Sequence, residues 1–219
     1  MIAASLGELI ARYRLHLSFV LFVAVAAEWL VDDGGRPHPI LSLVDLPHPI
    51  GLALIALGLG LRSWAAGVID KRRTLTTGGP YSMVRHPLYA GSYLIGVGFA
   101  ASMEDGLAIV AAALLIPAVY AFVVPREERL LAERFGAAWE GYAAQTPRFV
   151  PRLPLRPGPG QWQWRAWRRN REWRVLARTV AVLVLLEWLN DAAVSPSSPV
   201  TTPEEPGAVL TSWTGITSS

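Results

Sequence analysis

Apolar residues in this chain fall into five blocks, spanning about residues 15–31, 49–69, 88–103, 106–124 and 175–189, with charged or turn-forming residues between them. A helix rises about 1.5 Å per residue, so crossing a hydrocarbon core about 30 Å thick takes roughly 17–25 mostly apolar residues. The blocks match or approach that length. The pattern predicts an all-α fold: a polytopic membrane helical bundle of about five transmembrane helices. Only Glu104 and Asp105 separate the third block from the fourth, which predicts a tight antiparallel helical hairpin. Gly51, Gly58, Gly60, Gly67, Gly91, Gly96 and Gly98 lie in the second and third blocks. Small residues of this kind let helix backbones approach closely where lipid offers no hydrophobic drive for association.

Composition supports the membrane reading. The chain is 52% hydrophobic and only 17% charged, where a typical globular chain carries about 25% charge. Arg12 and Arg14 precede the first block as they would in a signal peptide, but Glu28-Trp29 stands where cleavage requires small residues, so a retained helix is expected. Cysteine is absent, which excludes disulfides, thiolate metal sites and a thiol nucleophile; no metal site is expected.

Charge predicts the orientation. Arg12 and Arg14 precede the first block, Lys71, Arg72, Arg73 and Arg85 lie between the second and third, and eleven arginines from Arg126 to Arg174 lie between the fourth and fifth. The opposite connections carry Asp32, Asp33, Asp45, Glu104 and Asp105 with Arg36 as their one base. The excess of Lys and Arg marks the cytoplasmic side. A multi-pass protein of the cell (inner) membrane is expected, N-terminus cytoplasmic and C-terminus outside, with its bases facing anionic headgroups. Residues 161–174 interleave Trp162, Trp164, Trp167 and Trp173 with five arginines and predict an interfacial helix rather than a nucleic-acid-binding surface. The organisation expected is an N-terminal helix and external loop (1–48), a membrane core (49–155), the interfacial segment with the last helix (156–190), and a Ser/Thr/Pro-rich disordered tail (191–219).

Two segments on the basic side carry candidate chemistry. In the first, TLTTGGPYSMVRHPLYAG (residues 74–91), Gly78-Gly79-Pro80-Tyr81 reads as a turn, and Arg85-His86 precedes Pro87, a residue suited to the first turn of a helix. That helix start offers free N–H groups and a positive dipole end to a carboxylate. In the second, PREERLLAERFGAAWEGY (residues 125–142), Glu127 and Glu128 stand at the membrane boundary. The two segments together can hold a zwitterion, with Arg85 and His86 on its carboxylate and Glu127 or Glu128 on its ammonium. Alternatively the acids pair with Arg126 and Arg129 in solvent. Adjacent helix residues face different directions, so one acid at most points inward.

The pattern G-P-Y-x-x-x-R-H-P-x-Y-x-G, at Gly79-Pro80-Tyr81, Arg85-His86-Pro87, Tyr89 and Gly91, is followed after the hairpin by a second one. This is E-E-x-x-L-x-x-x-F-G-x-x-W-x-x-Y, at Glu127-Glu128, Leu131, Phe135-Gly136, Trp139 and Tyr142. Phe149-Val150-Pro151 and the earlier Arg62-Ser63-Trp64-Ala65 also fit. Over residues 61–151 the chain resembles the isoprenylcysteine carboxyl methyltransferase and phospholipid methyltransferase superfamily. The resemblance implies an integral membrane methyltransferase that uses S-adenosylmethionine, held in a cytoplasmic cofactor pocket. It implies that His86 and Tyr89 contact the methionine carboxylate, and that Glu127 or Glu128 binds its ammonium. Gly79, Pro80, Tyr81, Pro87 and Tyr142 would shape the pocket. Arg85 would lie nearest the acceptor, with Glu128 as the second candidate catalytic group. The expected partners are a lipophilic small-molecule or lipid substrate and the surrounding membrane lipids.

The prenylcysteine branch carries a further arginine before the acidic pair, whereas the stretch here is Ala121-Phe122-Val123-Val124. That departure argues against a prenylcysteine substrate but not against the methyl donor; aminolipid, isoprenoid acid and quinone-like phenol acceptors all stay open. Two other readings share the fold: a membrane reductase binding NADPH, with Arg72, Arg73 and Arg85 on its phosphates, and a non-catalytic membrane protein.

Overall fold

The computed structural model describes residues 47–70, 74–151 and 158–194. The apolar block at 15–31, the acidic and basic residues before residue 47, the bases Lys71, Arg72, Arg73, Arg152 and Arg156, and the tail from residue 195 lie outside the described residues. Among the described residues there are six α-helices: α1 (Pro47–Val68), α2 (Pro87–Ser102), α3 (Gly106–Phe135), α4 (Ala137–Gln145), α5 (Trp164–Arg169) and α6 (Glu172–Val194). The class is all-α, as the apolar pattern predicts.

Two of these helices are long and apolar enough to cross a membrane on length and composition, His48–Val68 within α1 and Gly106–Phe135, the whole of α3. The other two apolar blocks also form helices. However, α2 has only 16 residues, and Arg174, Arg178, Glu187 and Asp191 dilute the apolar character of α6. The first helix of the expected bundle, at 15–31, lies outside the described residues.

α1 and α2 pack antiparallel at very short range. A Cβ built on Gly51 would lie 2.6 Å from the Gly98 carbonyl oxygen, and one on Gly58 would lie 2.6 Å from that of Gly91. The reciprocal approaches, Gly98 to Gly51 and Gly91 to Gly58, are both 2.7 Å. No side chain fits there, so the small residues do what their clustering suggests. Gly60, by contrast, faces open space.

Asp105 caps α3 by accepting from the Leu107 amide at 2.7 Å, which closes the predicted hairpin in a single tight turn. α6 lies against this assembly, with Leu186 joining Ile55, Phe99 and Met103 in the apolar core. Leu107, Leu114 and Phe122 on α3 and Val184 and Trp188 on α6 remain exposed, an exterior suited to lipid. The antiparallel order brings the end of α1, the start of α2 and the C-terminal half of α3 to one end of the bundle, opposite the Glu104-Asp105 turn.

Candidate functional site

The Gly-Pro-Tyr segment forms a short 3-10 turn, Pro80–Ser82. Gly79 precedes it at φ 59°, ψ −133°, a conformation only glycine adopts without strain. The turn is tied to the chain after the second motif. The Gly79 amide donates to the Gly158 carbonyl at 3.1 Å, and the Gly158 amide donates to Ser82 Oγ at 2.6 Å. Tyr142 on α4 donates its hydroxyl to the Tyr81 carbonyl at 2.7 Å. α4 reaches this position because Gly136, at φ 52°, turns the chain out of α3. Tyr81 itself is buried and its hydroxyl has no hydrogen-bond partner among the described residues. Burial, and then the nearby Glu127 charge, push its phenol far above the usual range.

Pro87 opens α2, where its missing N–H costs nothing, and His86 is the residue before the helix. The amides of Arg85 and His86 are not free. They donate to the carbonyls of Pro147 (2.8 Å) and Arg148 (3.1 Å), so the Arg-His pair runs alongside residues 147–148.

Glu128 is the centre of the site. Its Oε1 accepts from His86 Nε2 at 3.1 Å and lies 3.1 Å from Arg85 NH1, while Oε2 accepts from Arg148 NH2 at 2.8 Å. His86 is buried, which lowers its pKa below the ordinary 6.5 despite the carboxylate beside it. The imidazole is therefore neutral at pH 7 and donates through Nε2. Two arginines and one carboxylate leave this cluster with a surplus positive charge. Arg85 Nε is buried without a hydrogen-bond partner among the described residues.

Glu127 takes a different direction. It is exposed and accepts a 2.7 Å hydrogen bond from the Tyr89 hydroxyl. The Tyr89 ring stands edge-on to Tyr120 with centroids 4.8 Å apart, and Phe149 lies 5.8 Å from His86 and stacks on Tyr120. An aromatic wall thus lines one side of the two acids.

The structure brings both motif halves together. Gly79, Pro80, Tyr81, Arg85, His86, Pro87, Tyr89, Glu127, Glu128 and Tyr142 all gather at this end of the bundle. Of the two acids only Glu128 points inward, as adjacent positions on a helix require, and there Arg85, His86 and Arg148 hold it. Sequence reasoning missed Arg148 as a site residue because it sits among arginines read as marking one side of the membrane; its place next to Phe149-Val150-Pro151 was the available signal. Tyr120 was hidden inside an apolar block. In the segment read as interfacial, Trp162, Trp164 and Trp173 are exposed, whereas Trp167 is buried and donates its indole N–H to Ser63 Oγ at 2.8 Å.

Comparison with known proteins fits this architecture. The family model described as phospholipid methyltransferase matches residues 47–138. The cobalt-zinc-cadmium resistance protein CzcN of Cupriavidus metallidurans is 34% identical over 168 residues, covering 74% of each chain. The nickel-cobalt-cadmium resistance protein NccN of Alcaligenes xylosoxydans is 33% identical over 148 residues, 67% of this chain and 66% of that one. Protein-S-isoprenylcysteine O-methyltransferase B of Arabidopsis thaliana is 34% identical over 147 residues, 67% of this chain and 73% of that one. The chain is a membrane protein and belongs to the phospholipid methyltransferase and isoprenylcysteine O-methyltransferase superfamily.

Proposed function

We propose that this protein moves a methyl group from S-adenosylmethionine to a lipophilic acceptor at the membrane surface. One observation carries the reading: Glu128 gathers Arg85, His86 and Arg148 while Glu127 engages Tyr89, so that a surplus cation and a separate exposed carboxylate stand side by side. That arrangement matches the two charged ends of an amino acid. The buried Arg85 Nε and Tyr81 hydroxyl, neither with a hydrogen-bond partner among the described residues, fit a bound group that supplies acceptors.

When bound, S-adenosylmethionine supplies a methyl group already activated on a sulfonium. The residues then have mainly to hold and orient. Arg85, with the first turn of α2, takes the carboxylate. Glu127 takes the ammonium, because Glu128 is already committed to three partners. Glu128 thus fixes Arg85 and His86, a role that differs from direct contact with the ammonium. Tyr89, Tyr120 and Phe149 offer ring faces to a positive centre. Alignment for in-line attack, rather than acid–base chemistry, would supply much of the rate. An isoprenoid carboxylate acceptor needs no deprotonation, whereas a neutral amine would pass its proton to a carboxylate such as Glu127.

The acceptor would enter from the bilayer between helices, and the site would face the cytoplasm. The arginine-rich connections on the same end of the bundle support that orientation. Two relatives are named for metal resistance, and that stays with them; among the described residues no group of three or more His, Cys, Asp or Glu is placed to hold a metal ion.

Incubating the purified protein with a membrane lipid extract and methyl-labelled S-adenosylmethionine tests the reading. Label recovered in a lipid-soluble product, identified by mass spectrometry, is the expected result. Label that stays in the donor with every extract fraction would refute it.

A further inference from the structure

Arginine is costly to bury in a membrane protein, and where it occurs it is paired and commonly functional. Arg62 stands in the last two turns of α1, and its side chain is only 15% exposed. Its fork closes on Glu172, the first residue of α6, whose side chain is 6% exposed. Nε donates to Oε1 at 2.8 Å and NH2 to Oε2 at 3.0 Å, the two-point geometry that suits a guanidinium and a carboxylate. The third nitrogen, NH1, donates to the Leu88 carbonyl at 3.0 Å and also to the Ser92 hydroxyl. One side chain therefore joins α1, α2 and α6. Leu88 lies between His86 and Tyr89, two of the residues on which the site is built.

The chain reaches Glu172 through an unusual route. Arg171 adopts φ 58°, a left-handed backbone that a residue with a side chain takes up at some cost. The bend is held from both sides. Asn170 donates its side-chain amide to the carbonyls of Ala66 (2.8 Å) and Ile69 (3.3 Å) at the end of α1, and the Gln163 amide donates to the Gly67 carbonyl at 2.9 Å. Further upstream, Gly158 is tied to the Gly79–Ser82 turn. The stretch from Gly158 to Glu172 thus straps the end of α1 to both ends of the 79–89 loop. All of it lies beyond the residues that the family model matches.

We propose that Arg62 and Glu172 are positioning residues for the site, through which α6 fixes the 79–89 loop by way of the Leu88 carbonyl. This rests on the reading of that loop as the donor-binding element. The pair acts on the orientation of Arg85, His86 and Tyr89. A purely structural pair would contribute to folding alone.

The two roles separate in the double variant Arg62→Met/Glu172→Leu. Replacing a buried ion pair by apolar residues of similar size is often neutral for stability or stabilising, so this variant should keep the wild-type unfolding temperature. It should nevertheless show faster hydrogen–deuterium exchange at the amides of Arg85, His86 and Tyr89, with unchanged exchange at Met103 and Leu107 at the far end of the bundle. Its affinity for S-adenosylhomocysteine should fall roughly tenfold, the equivalent of one charge-assisted contact. Glu172→Gln, which keeps the shape of the fork, should show the same local change in exchange and serves if the double variant does not fold. Wild-type exchange at those three amides, or faster exchange with unchanged affinity, would overturn the proposal. Exchange is read without ligand, so a wild-type protein that binds no S-adenosylhomocysteine would contradict the proposed function and leave exchange alone to decide the clamp.

Discussion

His86 Nε2 lies 3.1 Å from Glu128 Oε1, although the two residues stand 42 positions apart. The helical hairpin closes that gap. α2 runs away from the site and α3 returns to it, so a basic motif at the start of one helix meets an acidic motif near the end of the next. Everything proposed for the site depends on this meeting.

Glu128 and Arg148 share an ion pair, yet their removal should differ in consequence. The Glu128 side chain is 11% exposed and holds three partners, while that of Arg148 is 52% exposed. Taking away the buried partner leaves Arg85 uncompensated, a loss of about 3–5 kcal/mol where the pair is fully buried. Glu128→Ala should therefore lower the unfolding temperature strongly and abolish donor binding. Arg148→Ala removes a largely solvated pair that contributes about 0.2–1 kcal/mol, so its cost in affinity should stay below about fivefold. Thermal unfolding and titration calorimetry on both variants check the order; equal effects would mean that the cluster is not centred on Glu128.

Burial holds His86 below its ordinary pKa of 6.5, so the folded protein favours the neutral ring. The unfolded chain then binds the extra proton first as pH falls. The resulting stability is fully present above the ordinary value and is lost as pH drops from about 6.5 toward the lowered folded value. Unfolding temperature in detergent, scanned from pH 8 to pH 5, should decline on the acid side, and His86→Gln should flatten that part of the decline. An identical acid limb in the variant would assign the decline to other groups.

Much of this fold was legible in the sequence, because apolar blocks of membrane length announce helices whatever they pack against. Pro87 then marked one helix start by its fit to the first turn of a helix, and Glu104-Asp105 marked the hairpin turn. What pattern alone left open were choices that depend on rotation about a helix or on distant partners. Glu127 and Glu128 are adjacent, and only the packed structure shows that the second turns inward to Arg85 and His86. Arg148 looks like any arginine in a basic stretch until its fork is seen on Glu128. Arg62 breaks an apolar block, but its partner lies 110 residues away, beyond the reach of any periodicity. The count of spanning helices was less secure for a simpler reason: α2 is short, and α6 carries charge.

The glycine contacts between α1 and α2 give a test that is independent of function. A methyl group on Gly58 would meet the Gly91 carbonyl at 2.6 Å and Ile95 Cγ1 at 2.8 Å. Carbonyl oxygens of a packed helix cannot step aside as a flexible side chain can. Gly58→Ala should cost about 1–3 kcal/mol through overpacking, whereas Gly60→Ala, facing open space, should be neutral or slightly stabilising through helix propensity. Thermal unfolding of the two variants checks this. Similar losses at both positions would show that the helices do not meet face to face as described.

Arg85 separates binding from turnover. Arg85 takes the donor carboxylate in the proposed function; lysine keeps that charge but not the planar two-point fork, so Arg85→Lys should retain donor binding within a few-fold, while the less firmly oriented donor makes methyl transfer to an identified acceptor fall further. Affinity and rate measured in one preparation decide it. Equal loss of both would mean that Arg85 holds the donor without aligning it, and loss of neither would remove it from the site.

The central claim is that the junction of the two motif halves holds the methyl donor by its amino-acid end. Titration calorimetry with S-adenosylhomocysteine, on the wild-type protein and on Glu127→Gln, tests it most directly. A dissociation constant on the order of micromolar is expected for the wild type, about −8 kcal/mol. Losing one charge-assisted hydrogen bond costs about 1.5–3 kcal/mol, so Glu127→Gln should weaken binding roughly ten- to a hundredfold. No heat from the wild type, binding of NADPH in its place, or an unchanged constant in a folded Glu127→Gln variant would contradict the account.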